Sequence, residues 1–245
     1  MDPFLYDEFY AIERTHWWAA GTRGIFRMLL ERALGGARDP LLMDVGCGTG
    51  VTLEEFGRLG WICGLDLSGR ALAYTKKRDP SLPVVQADLR SLPIASGSLD
   101  VVLAFDVIEH LDDDVAAARE IHRVLKPGGI AILNVPAFTS LWSEKDTANH
   151  HMRRYTRGTL RPVVEGGGLR IERMTYTNAI LFPPIWLARR FQRIARRPWN
   201  SKAEYHPSRA VNGVLLGLMR LERGLLRALD LPFGTSVTCV ARRMG

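Results

Sequence analysis

Two acids and three glycines set the chemistry to expect. Asp44 leads into Gly46-Cys47-Gly48-Thr49-Gly50, and Asp66 follows at the end of Trp61-Ile62-Cys63-Gly64-Leu65-Asp66. Residues without a Cβ let backbone amides approach a ligand closely, and a helix that starts at such a turn points its amides at that ligand. A carboxylate at the end of the next strand can accept both hydroxyls of a ribose. The spacing is that of a nucleoside site on a β-α-β unit. A dinucleotide carries a pyrophosphate, and its turn is usually G-x-G-x-x-G. Here the turn is G-x-G-x-G with Asp44 beside it, an acid that would repel a pyrophosphate and suit a cationic ligand. An NAD-dependent oxidoreductase is disfavoured on these grounds.

Asp44 to Gly50 resembles the first motif, D/E-x-G-x-G-x-G, of the class I S-adenosylmethionine (SAM)-dependent methyltransferases, and matches every fixed position. Arg123-Val124-Leu125-Lys126-Pro127-Gly128-Gly129 resembles the same family's signature before strand five, and Leu92-Pro93-Ile94 its stretch before strand four. The resemblance spans roughly residues 38 to 178 and 235 to 243. It implies SAM as cofactor and S-adenosylhomocysteine as product. The expected cofactor contacts are Asp44, Gly46, Cys47, Gly48 and Gly50 at the turn, with Asp66 and Leu67 at the ribose. Asp88 and Leu89, in Gln86-Ala87-Asp88-Leu89, match the position that meets adenine. Phe105 stands at the end of strand four. Glu13-Arg14-Thr15-His16-Trp17-Trp18 also resembles a segment found in a bacterial subgroup of these enzymes. Its tryptophans either anchor the N-terminal helix or close over the cofactor, where an aromatic face attracts a sulfonium. Trp17 is the expected contact, and Arg23 is expected to pair with the cofactor's carboxylate.

Candidates for catalysis lie beyond strands four and five, since ligands of open α/β sheets bind past the carboxyl ends of the strands. They are Asp106, His110, His151 and Tyr155. The two histidines suit a general base because imidazole titrates near neutrality. His150, Arg153 and Arg154 join them as candidates for substrate contact. Asp106-x-x-Glu109-His110 further resembles the E-x-x-E-H of ubiquinone-biosynthesis O-methyltransferases, in which a divalent metal is associated with the site. Aspartate in place of the first glutamate shortens the reach, so no metal is in the expected cofactor set.

These residues need a doubly wound, Rossmann-like α/β sheet of seven strands, the last antiparallel. Apolar runs place strands at Leu41–Val45, Trp61–Asp66, Leu82–Ala87, Leu99–Asp106, Ile130–Val135, Leu169–Tyr176 and Ser236–Arg243. Apolar alternation in the sixth is only roughly in step. The chain divides into an N-terminal helical cap (1–37), a SAM-binding core (38–178), a helical insertion (179–233) and the core's final strand (234–245).

The 245 residues are 47% hydrophobic, enough for a full core. Cys47, Cys63 and Cys239 have no metal-type spacing and read as buried residues of a reducing compartment. The N-terminus lacks a signal-peptide pattern, and no apolar run approaches a membrane span. The expected location is cytoplasmic, with peripheral contact at the inner membrane face. The formal charge is +7, concentrated in the insertion. There Phe182, Trp186 and Phe191 mix with Arg189, Arg190, Arg193, Arg196 and Arg197. The insertion is expected to be a lid for a hydrophobic acceptor that rests on an anionic membrane. The expected reaction is methyl transfer to a small-molecule or lipid-like oxygen nucleophile. The alternatives are an RNA or DNA methyltransferase using the basic insertion, and a non-catalytic partner protein of the same fold. Nucleic acid is disfavoured because the arginines interleave with aliphatic rather than stacking residues.

Overall fold

A computed structural model describes residues 2–195 and 204–245. The seven strands form one sheet in the order β3-β2-β1-β4-β5-β7-β6. They are β1 (Leu41–Val45), β2 (Trp61–Asp66), β3 (Val84–Gln86), β4 (Leu99–Phe105), β5 (Leu125–Pro136), β6 (Leu169–Thr177) and β7 (Ser236–Arg243). β1 to β5 pair in parallel, and β7 inserts antiparallel between β5 and β6. This is the doubly wound sheet with an antiparallel last strand that the sequence predicts.

Each central strand is buried on both faces, which explains its unbroken apolar run. Leu42, Val101, Leu103, Ile130 and Ile132 pack under α2 (Trp17–Leu34) and α3 (Val51–Phe56). Their neighbours Met43, Val102, Ala104, Ala131 and Leu133 pack on the opposite face under α5 (Asp114–Val124) and α7 (Arg157–Gly166). The rough alternation of β6 has a structural cause. The register with β7 shifts between Ile171 and Arg173, so Glu172 is an extra residue and the inward set slips by one.

Three strand boundaries differ from expectation. β3 is short, because only Val84 to Gln86 pair with β2. β4 stops at Phe105, because Asp106 turns into the left-handed region with a φ of 55°. β5 starts early, because Leu125 pairs with Leu99 before the shift to Val101 and Ile130.

The additions place walls around the carboxyl ends of the strands. α1 (Pro3–Ile12) packs on α4 (Gly69–Arg78), with Asp7 bound by Arg70 and the Tyr10 ring 4.9 Å from that of Tyr74. A short α6 (Glu144–Ala148) begins at Ser143, whose side chain forms a capping box with Asp146. The insertion folds as α8 (Phe182–Ile194) and α9 (Arg209–Leu225), with Arg196 and Arg197 outside the described residues. α9 lies along α2, where Gly21 gives it room: a Cβ there would stand 2.6 Å from that of Met219.

Candidate functional site

A cavity of about 500 Å³ opens beyond the ends of β1, β4 and β5. The glycine turn forms its floor. Gly46, Gly48 and Gly50 all have positive φ, and a Cβ on Gly46 would lie 2.2 Å from Val107. Only glycine allows this backbone and this approach. Asp44, Gly46, Cys47, Gly48 and Thr49 line the cavity, as do Phe105 and Asp106. The Phe105 ring is held by stacking on Phe26 at 4.1 Å between centroids. Burial raises the Asp44 carboxyl well above its usual range, and the charge of Asp66 adds to this. Burial likewise raises the Cys47 thiol.

Asp66 has work inside the turn. It accepts hydrogen bonds from the amides of Gly48 at 2.9 Å and Ser68 at 2.8 Å. Its carboxyl is raised by burial. Asp66, Leu67, Asp88 and Leu89 are not on the cavity wall. The Tyr6 hydroxyl of α1 stands by Ser68 and Asp66 and covers this corner. Leu67 is exposed, and Asp88 is held in solvent by Arg90 at 2.8 Å, which keeps its carboxyl low. Leu89 is a core side chain.

Acceptor-side groups converge from several elements. His151 donates or accepts through Nδ1 at 3.0 Å from Asp146 Oδ1. Asp146 is in turn gripped by Arg154, with Nε at 2.8 Å from Oδ1 and a second bond to Oδ2 at 3.0 Å. These donors hold the Asp146 carboxyl well below its usual value against the opposing effect of burial. The carboxylate therefore fixes the His151 tautomer with the proton on Nδ1 and leaves Nε2 as an acceptor. His110 is different. Burial lowers it to about 4, and its Nδ1 lies 3.2 Å from the His150 carbonyl, which it serves as donor when neutral.

Two acids lie beneath the histidines. Asp106 accepts from Asn134 Nδ2 at 2.9 Å and is pushed up to about 6, chiefly by burial and against the pull of His151. Glu109 is fully buried, and neither carboxylate oxygen has a hydrogen-bond partner. Burial and then Asp106 raise it well above the ordinary range. Ligand atoms of Glu109, His110 and His151 lie within 4.8 Å of one another. The sequence pattern suggested Asp106 in such a cluster; the structure gives its place to His151, because Asp106 turns toward Asn134.

Four expectations need correction in their geometry. Arg23 does not face the cavity: it is buried in α2, bound to Glu55 at 2.8 Å and to the Glu13 carbonyl at 2.7 Å. Tyr155 is a core residue whose hydroxyl donates to Asp114 at 2.7 Å, because its backbone bridges to Ala137 under the sheet. His150 turns out to Asp2, and Arg153 to Asp114 and the Asp112 carbonyl.

Trp17, the expected aromatic contact, lines the cavity, its amide tied to Asn212 at 2.8 Å. Further wall residues carried no motif. Beside Trp17, Glu204 binds Lys145 at 2.7 Å and Arg189 at 3.0 Å, and its carbonyl meets His16 Nε2 at 3.1 Å. Lys145 also stands over the rings of Trp18 and Tyr205, each at 5.4 Å. The capping pattern Ser143-x-x-Asp146 was visible in sequence, but it signals a helix start and not a partner for His151.

Fold and turn together are similar to those of the class I, SAM-dependent methyltransferases. Residues 43–133 match the family described as "Methyltransferase domain". A protein of Mycolicibacterium smegmatis named "Probable S-adenosylmethionine-dependent methyltransferase" is 29% identical over 160 residues, 64% of this chain and 61% of that protein. The demethylmenaquinone methyltransferase of Chlorobaculum tepidum is 32% identical over 108 residues, 43% of this chain and 45% of the relative. The chain thus spans about half the length of the curated relatives it matches. The crystal structure of a SAM-dependent methyltransferase from Mesorhizobium loti aligns with a TM-score of 0.57 at 18% identity, over 88% of this chain and 96% of that one.

Proposed function

We propose that the protein transfers a methyl group from SAM to an oxygen of a small-molecule or lipid-like acceptor, with His151 taking the acceptor's proton. The observation that carries this reading is the Asp146–His151 pair on the wall of a cavity whose floor is the glycine turn. When bound, SAM supplies a methyl group made electrophilic by its sulfonium. The residues fit such a cation: Asp44 and Asp106 line the floor, and Trp17 and Phe105 offer aromatic surface. Gly46 and Gly48 would hold it through the turn, and Asp66 keeps that turn in shape. The ribose and adenine roles of Asp66 and Asp88 require Tyr6 and α1 to yield at that corner. His151 acts through Nε2, Asp146 orients the ring, and Arg154 fixes Asp146. Apolar walls at Leu141, Ile185 and Tyr205 exclude water and suit an acceptor with hydrophobic parts. The relative named for demethylmenaquinone supports an acceptor of this kind. A cytoplasmic location is supported by three free, buried cysteines.

The test is turnover with labelled SAM and a lipid extract, read beside SAM affinity by calorimetry. His151→Ala should lower kcat about 100- to 10,000-fold with SAM affinity intact, the range of a general base. Asp146→Asn should also lower it, by favouring the wrong tautomer. His110→Ala should cost less than tenfold, because a group titrating near 4 is a poor base at pH 7. Full activity in His151→Ala overturns the base role. Label in nucleic acid alone would select the nucleic-acid reading, and SAM binding without transfer to any fraction the non-catalytic one. A second reading, a divalent cation at Glu109, His110 and His151, is favoured by the Glu109 carboxyl, which has no hydrogen-bond partner and lies 3.8 Å from His151 Nε2. Loss of activity with chelator, restored by added metal, would select it.

A further inference from the structure

α8 is built inside out. Its inward face carries Ile185, Arg189 and Gln192 on the cavity wall, and Arg193 donates to the carbonyls of Ser140 and Trp142. Its outward face carries Leu187, Phe191 and Ile194, exposed at 60%, 58% and 72%. Two of the arginines expected to face a membrane are thus spent on the protein itself.

α9 is apolar on two sides. One side, with Met219, packs on α2. The other presents Val214, Leu221 and Leu225, exposed at 65%, 58% and 40%. Between that side and the basic rim lie Gly213, Gly217 and Gly224, with nothing within 4 Å of where a side chain would stand. Arg209, Arg220 and Arg227 form the rim and are exposed. Contiguous exposed apolar surface usually marks an interaction site, so this outer face calls for a cover.

Charge identifies the cover. Residues 179–233 hold ten Lys or Arg and three Asp or Glu, a net of +7. That is the formal charge of the whole chain, so the other residues sum to zero. A second copy would set one strongly positive surface against another. Nucleic acid would use stacking aromatics, where the outer face of α9 has aliphatic side chains and glycine. An anionic bilayer interface accepts both the apolar arc and the basic rim.

We propose that the outward faces of α8 and α9 dock the protein on an anionic lipid surface. Leu187, Ile194, Val214, Leu221 and Leu225 enter the interface, and Arg209, Arg220 and Arg227 meet head groups. α8 then separates bilayer from cavity with one face on each. An amphiphilic acceptor passes along it without crossing open water. That route rests on the function proposed above; the docking does not.

Flotation of the full chain with phosphatidylglycerol and with phosphatidylcholine vesicles tests the docking, without reference to activity. The protein should float with the anionic vesicles at low salt, less at high salt, and not with neutral ones. Arg209→Gln, Arg220→Gln and Arg227→Gln together should lower partitioning about a hundredfold at low salt, since each basic residue near such a surface contributes about a factor of five. Val214→Ser, Leu221→Ser and Leu225→Ser together should lower it at least tenfold. Circular dichroism and SAM affinity should match the parent in both variants. The arginine set, all exposed, keeps the test decisive if the serine set fails to fold. Absence of flotation in the parent overturns the proposal. So does equal flotation of the arginine variant. A dimer in solution abolished by the serine set assigns the face to a second copy, and a salt-dependent shift with RNA without flotation assigns it to nucleic acid.

Discussion

Asp106 shows how one side chain can couple burial, charge and ligand. It occupies the left-handed region, a rare backbone for a residue with a Cβ, and such strain concentrates at functional sites. Burial raises its carboxyl from the ordinary aspartate range to about 6. A raised folded value contributes stability that is fully present below the unfolded pKa and is lost as pH rises through the folded one. The unliganded protein should therefore lose stability between about pH 4 and pH 6, by on the order of 3 kcal/mol from this group. A bound sulfonium favours the ionised form, so preference for SAM over S-adenosylhomocysteine should grow as pH rises through that window. Calorimetry with both ligands at about pH 5 and pH 7 checks it. A constant ratio would place Asp106 away from the sulfonium.

At the scale of elements, the seam between α2 and α9 decides where the insertion sits. Gly21 is a helix-interior glycine, which costs helix stability of about 1 kcal/mol against alanine. The cost is offset by contact, since Met219 occupies the place of the missing Cβ. Gly21→Ala should destabilise the protein by about 1–3 kcal/mol despite its better helix propensity. Met219→Ala should restore part of that loss in the double variant. Denaturant unfolding of the cycle measures the coupling. Additive effects would mean that the two helices do not meet there. This contact was out of reach of sequence reading: a glycine four residues into a helix looks like a weak point until the second helix is placed against it.

For the whole molecule, the cavity wall is assembled from parts distant in the chain. Glu13 of the cap accepts from Thr49 of the turn and from Arg78 of α4. Glu204 of the insertion ties His16, Lys145 and Arg189 together. A ligand held by all of these should stabilise the molecule as a unit. SAM at about a hundred times its dissociation constant should add about 2.7 kcal/mol, or roughly 5–11 °C in Tm at about 2–4 °C per kcal/mol for a chain of this size. NAD should give no shift. A shift with NAD and none with SAM would remove the cofactor assignment. No helix among the described residues is long and apolar enough to cross a membrane.

The sequence by itself determined what is local and chemical. Four fixed residues from Asp44 to Gly50 announced the turn, because close backbone approach admits only glycine. The strand positions followed from apolar runs, because a doubly covered parallel strand leaves no polar face. The Ser68 and Thr156 caps are local in the same sense, since a cap bonds only a few residues away. Tertiary structure decided everything that depends on distant partners. Arg23 and Tyr155 looked available and are satisfied inside the protein, by Glu55 and by Asp114. His110 and His151 looked equivalent and differ because Asp146 meets only one of them. The arginines of α8 looked like its outer face, yet 189 and 193 point inward. Spacing fixes which residues share a helix face, but only the neighbours that pack against the helix fix which face is turned to water.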